Sequence, residues 1–96
     1  MRKKLRVMWD YDAENPVWDR RGGIGLEDLG LSEELCVALR RWSAALTEEM
    51  WEVIHSEDEE LTPEVFRLDE EGRHLAERVQ AELGDRYAIT YVGVDD

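Results

Sequence analysis

The sequence has little cysteine and no long apolar run. Cys36 is the only cysteine among 96 residues, so no disulfide can form within the chain, which suits a reducing compartment. The basic residues 2–4 are followed by an alternating pattern and not by a continuous apolar stretch. We therefore expect neither a secretion signal nor a membrane span, and we predict a cytoplasmic protein.

Basic residues are also few, with 12 lysines and arginines against 24 aspartates and glutamates. The formal net charge of −12 opposes contact with phosphates, which argues against binding to nucleic acid or to an anionic membrane. A basic protein partner is compatible with this charge, and so is a role in solubility. Because the hydrophobic share of 43% is ordinary for a folded protein, the sequence predicts a single globular domain over residues 1–96.

The N-terminal third combines a strand pattern with a long irregular segment. In residues 5–12, apolar Leu5, Val7, Trp9 and Tyr11 alternate with other residues, which predicts a half-buried strand. Residues 13–31 contain four glycines and one proline, which interrupt any regular element. Because this segment also contains several apolar residues, we predict an ordered loop and not a linker.

Two later stretches have the apolar spacing of amphipathic helices. The first covers residues 32–55 and begins at Ser32, a residue type that caps helices well. Its apolar positions are Leu35, Leu39, Trp42, Leu46, Met50 and Val53. The second covers residues 63–83, which follow a capping Thr62 and begin with Pro63. Its inward positions are Val65, Leu68, Gly72, Leu75, Val79 and Leu83.

The predicted fold class is α+β. A strand, an ordered loop, an antiparallel helical hairpin and a final strand over residues 87–94 follow one another, and a small sheet packs on the two long helices. Both faces of the final strand are apolar, and a two-stranded sheet is marginal by itself. We therefore also predict a homodimer formed through sheet edges.

The apolar stripes of the two helices predict how the helices pair. When His55 is placed level with Pro63, Leu46 lies opposite Gly72. The glycine then forms a notch between the helices that accepts either Leu46 or the indole of Trp42. A larger residue at position 72 is expected to push the helices apart.

The acidic residues near the first strand suggest a metal site but do not complete one. Asp10, Asp12 and Glu14 have the spacing that opens a calcium loop. However, Asn15 stands where that loop needs glycine, and Arg21 stands where it needs a bidentate glutamate. We expect no resident metal and no cofactor, and a solvent-facing strand edge and turn in this region.

The sequence offers no catalytic constellation. Cys36 and His55 lie more than five turns apart on one predicted helix, and His74 lies on the other. A cysteine–histidine pair is therefore not expected, and we predict that the protein is not an enzyme.

Tryptophan is frequent, with four in 96 residues. Trp51 follows Trp42 by nine residues, which places it on the opposite side of the first helix, beside Val37 and Ala44. Either the loop of residues 13–31 or a partner covers this second stripe, and we favour the loop. Aromatic residues are enriched at interfaces, and Trp51 is therefore a candidate for binding. The full set of candidate binding residues is Trp18, Trp51, Asp10, Asp12 and Asp19.

Short motifs mark the chain from one end to the other. They are Asp10-Tyr11 at the end of the first strand, Pro16-Val17-Trp18-Asp19, Leu29-Gly30-Leu31-Ser32, a tryptophan one helical stretch later, Glu71-Gly72-Arg73-His74-Leu75-Ala76, and a final aromatic strand. In these motifs the chain resembles a group of small, uncharacterised actinobacterial proteins. The resemblance spans most of the chain and implies a shared architecture, but it implies no activity.

Two functional hypotheses remain. The first is a non-catalytic acidic module that binds a basic protein, as an immunity-like or antitoxin-like neutraliser does. Small size, negative charge and spare aromatic residues support it, because charge complementarity accelerates association. The alternative is a protein that binds a small ligand or a divalent metal through the region of Asp10, Asp12 and Asp19.

Overall fold

The computed structural model describes residues 2–9, 16–58 and 60–94. The described elements are strand β1 (Lys3–Val7), strand β2 (Val17–Trp18), a 3-10 helix (Leu26–Leu29), helix α1 (Glu33–His55), helix α2 (Pro63–Leu83), a 3-10 turn (Gly84–Arg86) and strand β3 (Tyr87–Tyr91). The strands form one sheet in the order β2-β1-β3, in which β1 is antiparallel to β2 and parallel to β3. The predicted α+β class, with a small sheet and a helical hairpin, is confirmed.

The strands are shorter than the sequence patterns suggested. The strand predicted over residues 5–12 is observed at Lys3–Val7, and residues 10–12 lie outside the described part of the chain. The strand predicted over residues 87–94 ends at Tyr91, because Tyr91 pairs with the last residue of β1. The predicted loop 13–31 contains β2, whose two residues are too few to produce an alternating pattern.

The sheet packs one face against the helical hairpin. Leu5 and Val7 of β1 and Val17 of β2 are buried, whereas Lys4 and Arg6 are exposed on the other face. Of the predicted stripe positions, five on α1 and all six on α2 are buried: Leu35, Leu39, Trp42, Leu46 and Val53, and Val65, Leu68, Gly72, Leu75, Val79 and Leu83. The remaining stripe residue, Met50, is half-buried against the core. The two predicted stripes therefore form the core with the sheet. Within the described residues, neither helix has the length and apolar character needed to cross a membrane.

The indole of Trp42 occupies the notch at Gly72. Trp42 Nε1 donates a hydrogen bond to the carbonyl oxygen of Leu68 at 2.6 Å. A Cβ at position 72 would lie 2.6 Å from Trp42 Cζ2 and 2.6 Å from Tyr91 Cε1. Of the two occupants predicted for the notch, the indole and not Leu46 is observed. Stripes that repeat every three or four residues match again after a shift of one turn, so periodicity does not choose between these partners.

A buried carboxylate ties the end of β3 to α2. Asp69 is only 9% exposed. Its Oδ1 accepts a hydrogen bond from the Tyr91 hydroxyl at 2.6 Å and another from the Val94 N–H at 3.2 Å. This pairing satisfies a polar group that would otherwise be costly to bury.

A side chain occupies part of the outer edge of β3. Gln80 Oε1 accepts the N–H of Ile89 at 2.9 Å, and Gln80 Nε2 donates to the carbonyl oxygens of Tyr87 at 2.9 Å and Gly84 at 3.0 Å. The amide thus bonds to β3 as a neighbouring strand would. The homodimer predicted through sheet edges stays a prediction, which sedimentation can measure, and pairing at this part of β3 would require Gln80 to move.

The start of α1 is capped by two side chains. Ser32 Oγ accepts the N–H of Leu35 at 3.2 Å, as an N-cap does. The N–H and the hydroxyl of Ser32 in turn donate to the carboxylate of Glu82 on α2, each at 2.7 Å. These hydrogen bonds, first from the backbone and then from the side chain of Ser32, lower the pKa of Glu82 below its ordinary value.

We expect Gly72→Ala to destabilise the protein. A Cβ would overlap the rings of Trp42 and Tyr91, and such overpacking typically costs about 1–3 kcal/mol. This exceeds the gain of about 1 kcal/mol that alanine brings to a helix interior. Thermal unfolding followed by circular dichroism measures the difference, with Glu77→Ala on the exposed face of α2 as the control. A stabilised Gly72→Ala protein would show that the two rings do not pack at this position.

The contact between Glu82 and Ser32 predicts a pH-dependent stability difference. Because the folded-state pKa of Glu82 is lowered, its carboxylate stabilises the fold above the ordinary glutamate pKa of 4.5. This contribution is lost as the pH falls through the folded-state pKa. Glu82→Gln should therefore lower the melting temperature at pH 7, relative to Glu77→Gln with the same charge change, and the difference should shrink in acid. An equal deficit at pH 7 and at the acid limit would contradict this role.

Candidate interaction surface at the hairpin tip

The strongest charge asymmetry of the chain lies where α1 ends and α2 begins. Between Arg41 and Arg67 the sequence contains no lysine or arginine but has eight acidic residues. They are Glu48, Glu49, Glu52, Glu57, Asp58, Glu59, Glu60 and Glu64. We name residues 48–66 the hairpin tip, and its structure is described at residues 48–58 and 60–66.

Caps at both helix ends hold the connection in the hairpin tip. The N–H and the hydroxyl of Ser56 both donate to the carbonyl oxygen of Val53, at 3.2 and 2.8 Å, where α1 ends. Thr62 Oγ1 accepts the N–H of Val65 at 3.2 Å, and Pro63 provides the first residue of α2. One carbonyl at the end of α1 and one N–H at the start of α2 are thereby satisfied locally.

Most of the described carboxylates of the hairpin tip form no ion pair with a lysine or arginine. Glu64 is paired, because Arg67 Nε donates to both of its carboxylate oxygens at 3.0 Å, and this hydrogen bonding lowers the pKa of Glu64. In the part of the chain that the structure describes, no lysine or arginine forms an ion pair with Glu48, Glu52, Glu57, Asp58 or Glu60. These five side chains are exposed, so their negative field extends into solvent.

The basic residues, in contrast, are concentrated in the part of the sequence that contains β1 and β2. Half of the twelve lysines and arginines fall within residues 2–21. They are Arg2, Lys3, Lys4, Arg6, Arg20 and Arg21. Lys4 and Arg6 project from the exposed face of β1. The molecule is therefore polarised, with an acidic hairpin tip and a more basic sheet.

Large apolar side chains are exposed on the same hairpin tip. Trp51 is 51% exposed, Ile54 is 47% exposed and Phe66 is 52% exposed. Trp51 and Ile54 are three residues apart and share one face of α1, while Phe66 lies in the first turns of α2. Among the described residues, the other large hydrophobic side chain exposed to a comparable degree is Val37, at 40%. The hairpin tip thus combines aromatic and aliphatic surface with an acidic rim.

The indole of Trp51 is held by its own helix. Its ring centroid lies 4.2 Å from that of His55, and the two planes are tilted by 38°. His55 Nδ1 lies 2.8 Å from the carbonyl oxygen of Trp51. A side chain that is already ordered loses less entropy on binding.

The structure describes three of the five residues that the sequence suggested for binding. Asp10 and Asp12 lie outside the described residues. Asp19 Oδ1 accepts the N–H groups of Arg21 at 2.7 Å and Gly22 at 3.1 Å, so its carboxylate caps a turn. No group of three or more potential ligand residues within the described ranges is arranged to hold a metal ion. Metal or small-ligand binding in this region stays an untested hypothesis.

The two candidate tryptophans lie on different elements. Trp18 lies on β2 in register with Arg6, and its buried indole N–H has no hydrogen-bond partner among the described residues. Trp51 lies near the end of α1. The interpretation that the loop covers Trp51 is wrong for residues 16–31, since the indole remains half exposed. These residues instead bury their apolar side chains in the core, and their Glu27 pairs with Arg40 in the middle of α1.

The sequence patterns did not identify Ile54 and Phe66 as candidate binding residues. Ile54 lies at the margin of the apolar stripe of α1, and Phe66 lies outside the stripe of α2, directly after buried Val65. A large apolar residue outside a helical stripe is the available signal, and it is most informative where two helices end together.

The exposed apolar side chains and the carboxylates of the hairpin tip form a surface suited to binding another protein. The family model of Serratia CdiI immunity protein-like proteins matches residues 3–94, and the chain therefore belongs to this family. A search of curated proteins found no match. The predicted class of function, an immunity-type neutraliser of a partner toxin, is confirmed by the family. The family also implies a non-enzymatic role.

Proposed function

We propose that this immunity protein neutralises a basic toxin in the cytoplasm by binding it through the hairpin tip. The observation that carries the proposal is the charge of residues 48–66, which hold eight acidic residues and no lysine or arginine. Family membership supports a toxin as the partner, and the charge supports a basic surface on that toxin.

The uneven distribution of charge on the molecule favours one orientation in which a basic toxin approaches. An acidic hairpin tip attracts a basic surface, while the basic residues near β1 repel it. Individually, exposed ion pairs contribute only about 0–1 kcal/mol. Their summed field acts mainly on the rate and the orientation of encounter, which suits a protein that must capture its toxin quickly.

Binding through the hairpin tip also explains how the toxin is neutralised. A basic surface on a toxin is suited to an anionic substrate, and the carboxylates of the tip present the same sign of charge as that substrate. A toxin whose basic surface is covered by the hairpin tip cannot admit the substrate there. Neutralisation then requires only occupancy and no chemical step.

Growth rescue identifies the partner. The chain is co-expressed with toxin domains from its own host, and the domain whose toxicity it abolishes is the cognate toxin. We expect this toxin to be basic and its complex with the chain to weaken as salt is raised. Failure to neutralise any of these toxins, or neutralisation of an acidic one, would contradict the proposal.

Charge reversal at the hairpin tip should slow association. We expect Glu52→Lys/Glu57→Lys to reduce the association rate with the cognate toxin by about 10-fold or more at low salt. The matched control is Glu70→Lys/Glu77→Lys, which makes the same charge change on the exposed side of α2 and should alter the rate by less than about threefold. Stopped-flow or surface-based kinetics measures both variants. Equal effects of the two pairs would indicate net charge alone and not the hairpin tip.

A further inference from the structure

We infer that Trp51, Ile54 and Phe66 form the apolar anchor of the toxin-binding surface, and that they occupy an apolar pocket bordered by lysine or arginine on the toxin. This inference rests on the proposed function and assigns the residues that hold the complex together. The three side chains are each about half exposed on the hairpin tip.

The fold itself does not require these side chains to be apolar. The residues beside them in sequence, Val53 and Val65, are buried at 4% and 0% exposure and fill the core at this end of the hairpin. A single exposed hydrophobic residue is ordinary on a protein surface. Here an aromatic and an aliphatic residue share one face of α1, and a second aromatic residue lies on the adjoining end of α2. Several exposed apolar side chains at the joined ends of two helices are typical of an interaction surface.

The residue types and setting of these exposed side chains match those of binding hot spots. Tryptophan is among the residues most enriched at the centres of interfaces, where polar residues around it exclude water. The acidic side chains Glu48, Glu52 and Glu57 are exposed on the same tip and provide such a rim. Because the ring of His55 lies against that of Trp51, the indole is partly ordered before it binds.

The charge of the hairpin tip selects the occupant of this apolar surface. A second copy of the chain would bring two tips with eight acidic residues each into contact, and their repulsion opposes such a dimer. A basic partner instead gains from the same carboxylates. An arginine at the border of its pocket can also stack on the face of Trp51, which adds a cation–π attraction.

Alanine substitution separates the anchor from the charge. With the toxin identified by growth rescue, Trp51→Ala should raise the dissociation constant by about 30-fold or more, mainly through faster dissociation. Phe66→Ala should act in the same direction. The matched control is Val37→Ala, which removes another exposed apolar side chain from α1 at a distance from the tip and should change affinity less than about twofold.

The salt dependence distinguishes this inference from the proposed function. Trp51→Ala should leave the salt dependence of association unchanged, whereas Glu52→Lys/Glu57→Lys should reduce it. If the toxin binds the wild-type chain in a salt-dependent manner but binds Trp51→Ala and Phe66→Ala equally well, the anchor is disproved and the proposed function stands. If no toxin is neutralised, the proposed function itself fails.

Two further measurements establish whether the variants are folded and whether the free chain self-associates. Circular dichroism melts should show folded variants, and Trp51→Leu replaces Trp51→Ala if the latter unfolds, with weakened toxin binding again expected. Sedimentation of the free wild-type chain and of Trp51→Ala examines self-association. A wild-type dimer that Trp51→Ala converts to a monomer, with toxin binding unchanged, would assign these apolar side chains to contact with a second copy and overturn the inference.

Discussion

The indole of Trp42 joins the two helices to the sheet. It is 1% exposed, its Nε1 donates to the Leu68 carbonyl at 2.6 Å, and its ring lies against the bare backbone of Gly72. The centroid of the Tyr91 ring lies 6.2 Å away, and the Tyr91 hydroxyl donates to Asp69. One side chain of α1 therefore contacts both α2 and the end of β3. Because β1 and β3 have only five residues each, the sheet depends on this junction for its alignment with the long helices, together with the bonds from Gln80 to β3.

The difference in length between the sheet and the helices creates the candidate site. Five-residue strands span ~17 Å, whereas helices of 23 and 21 residues span more than about 30 Å. β3 runs beside α2 from Gln80 to Asp69 and leaves the first turn of α2 beyond its end. Trp51, Ile54 and Phe66 lie where the hairpin extends past the sheet. Val53 and Val65 are nevertheless buried at this end, so the three exposed side chains owe their exposure to the helix faces on which they lie.

In the proposed complex with a basic toxin, the hairpin tip contributes two kinds of side chain. Exposed carboxylates act over a distance and depend on ionic strength, so in that complex they would govern how often and in which orientation the toxin arrives. Apolar anchors act only on contact, so they govern how long the partner stays. The two groups occupy the same surface because the acidic connection and the uncovered ends of both helices are neighbours. An immunity protein needs both fast association and slow dissociation, because toxin that is not bound can act.

The sequence by itself determined the elements that depend on local interactions. Ser32 and Thr62 mark the helix starts, the apolar stripes identify both buried faces, and the acidic connection is visible as a run of residues. These signals arise within a few turns of one chain segment, and they were sufficient for the α+β class. Only the tertiary structure decided that Trp42 and not Leu46 fills the notch at Gly72. The apolar stripes of the two helices can be paired equally well after one helix is shifted by one turn, so the sequence does not choose between these two residues. The parallel pairing of Lys3 with Tyr87 joins residues that no local pattern connects, and the 51% exposure of Trp51 depends on which distant segments pack against α1.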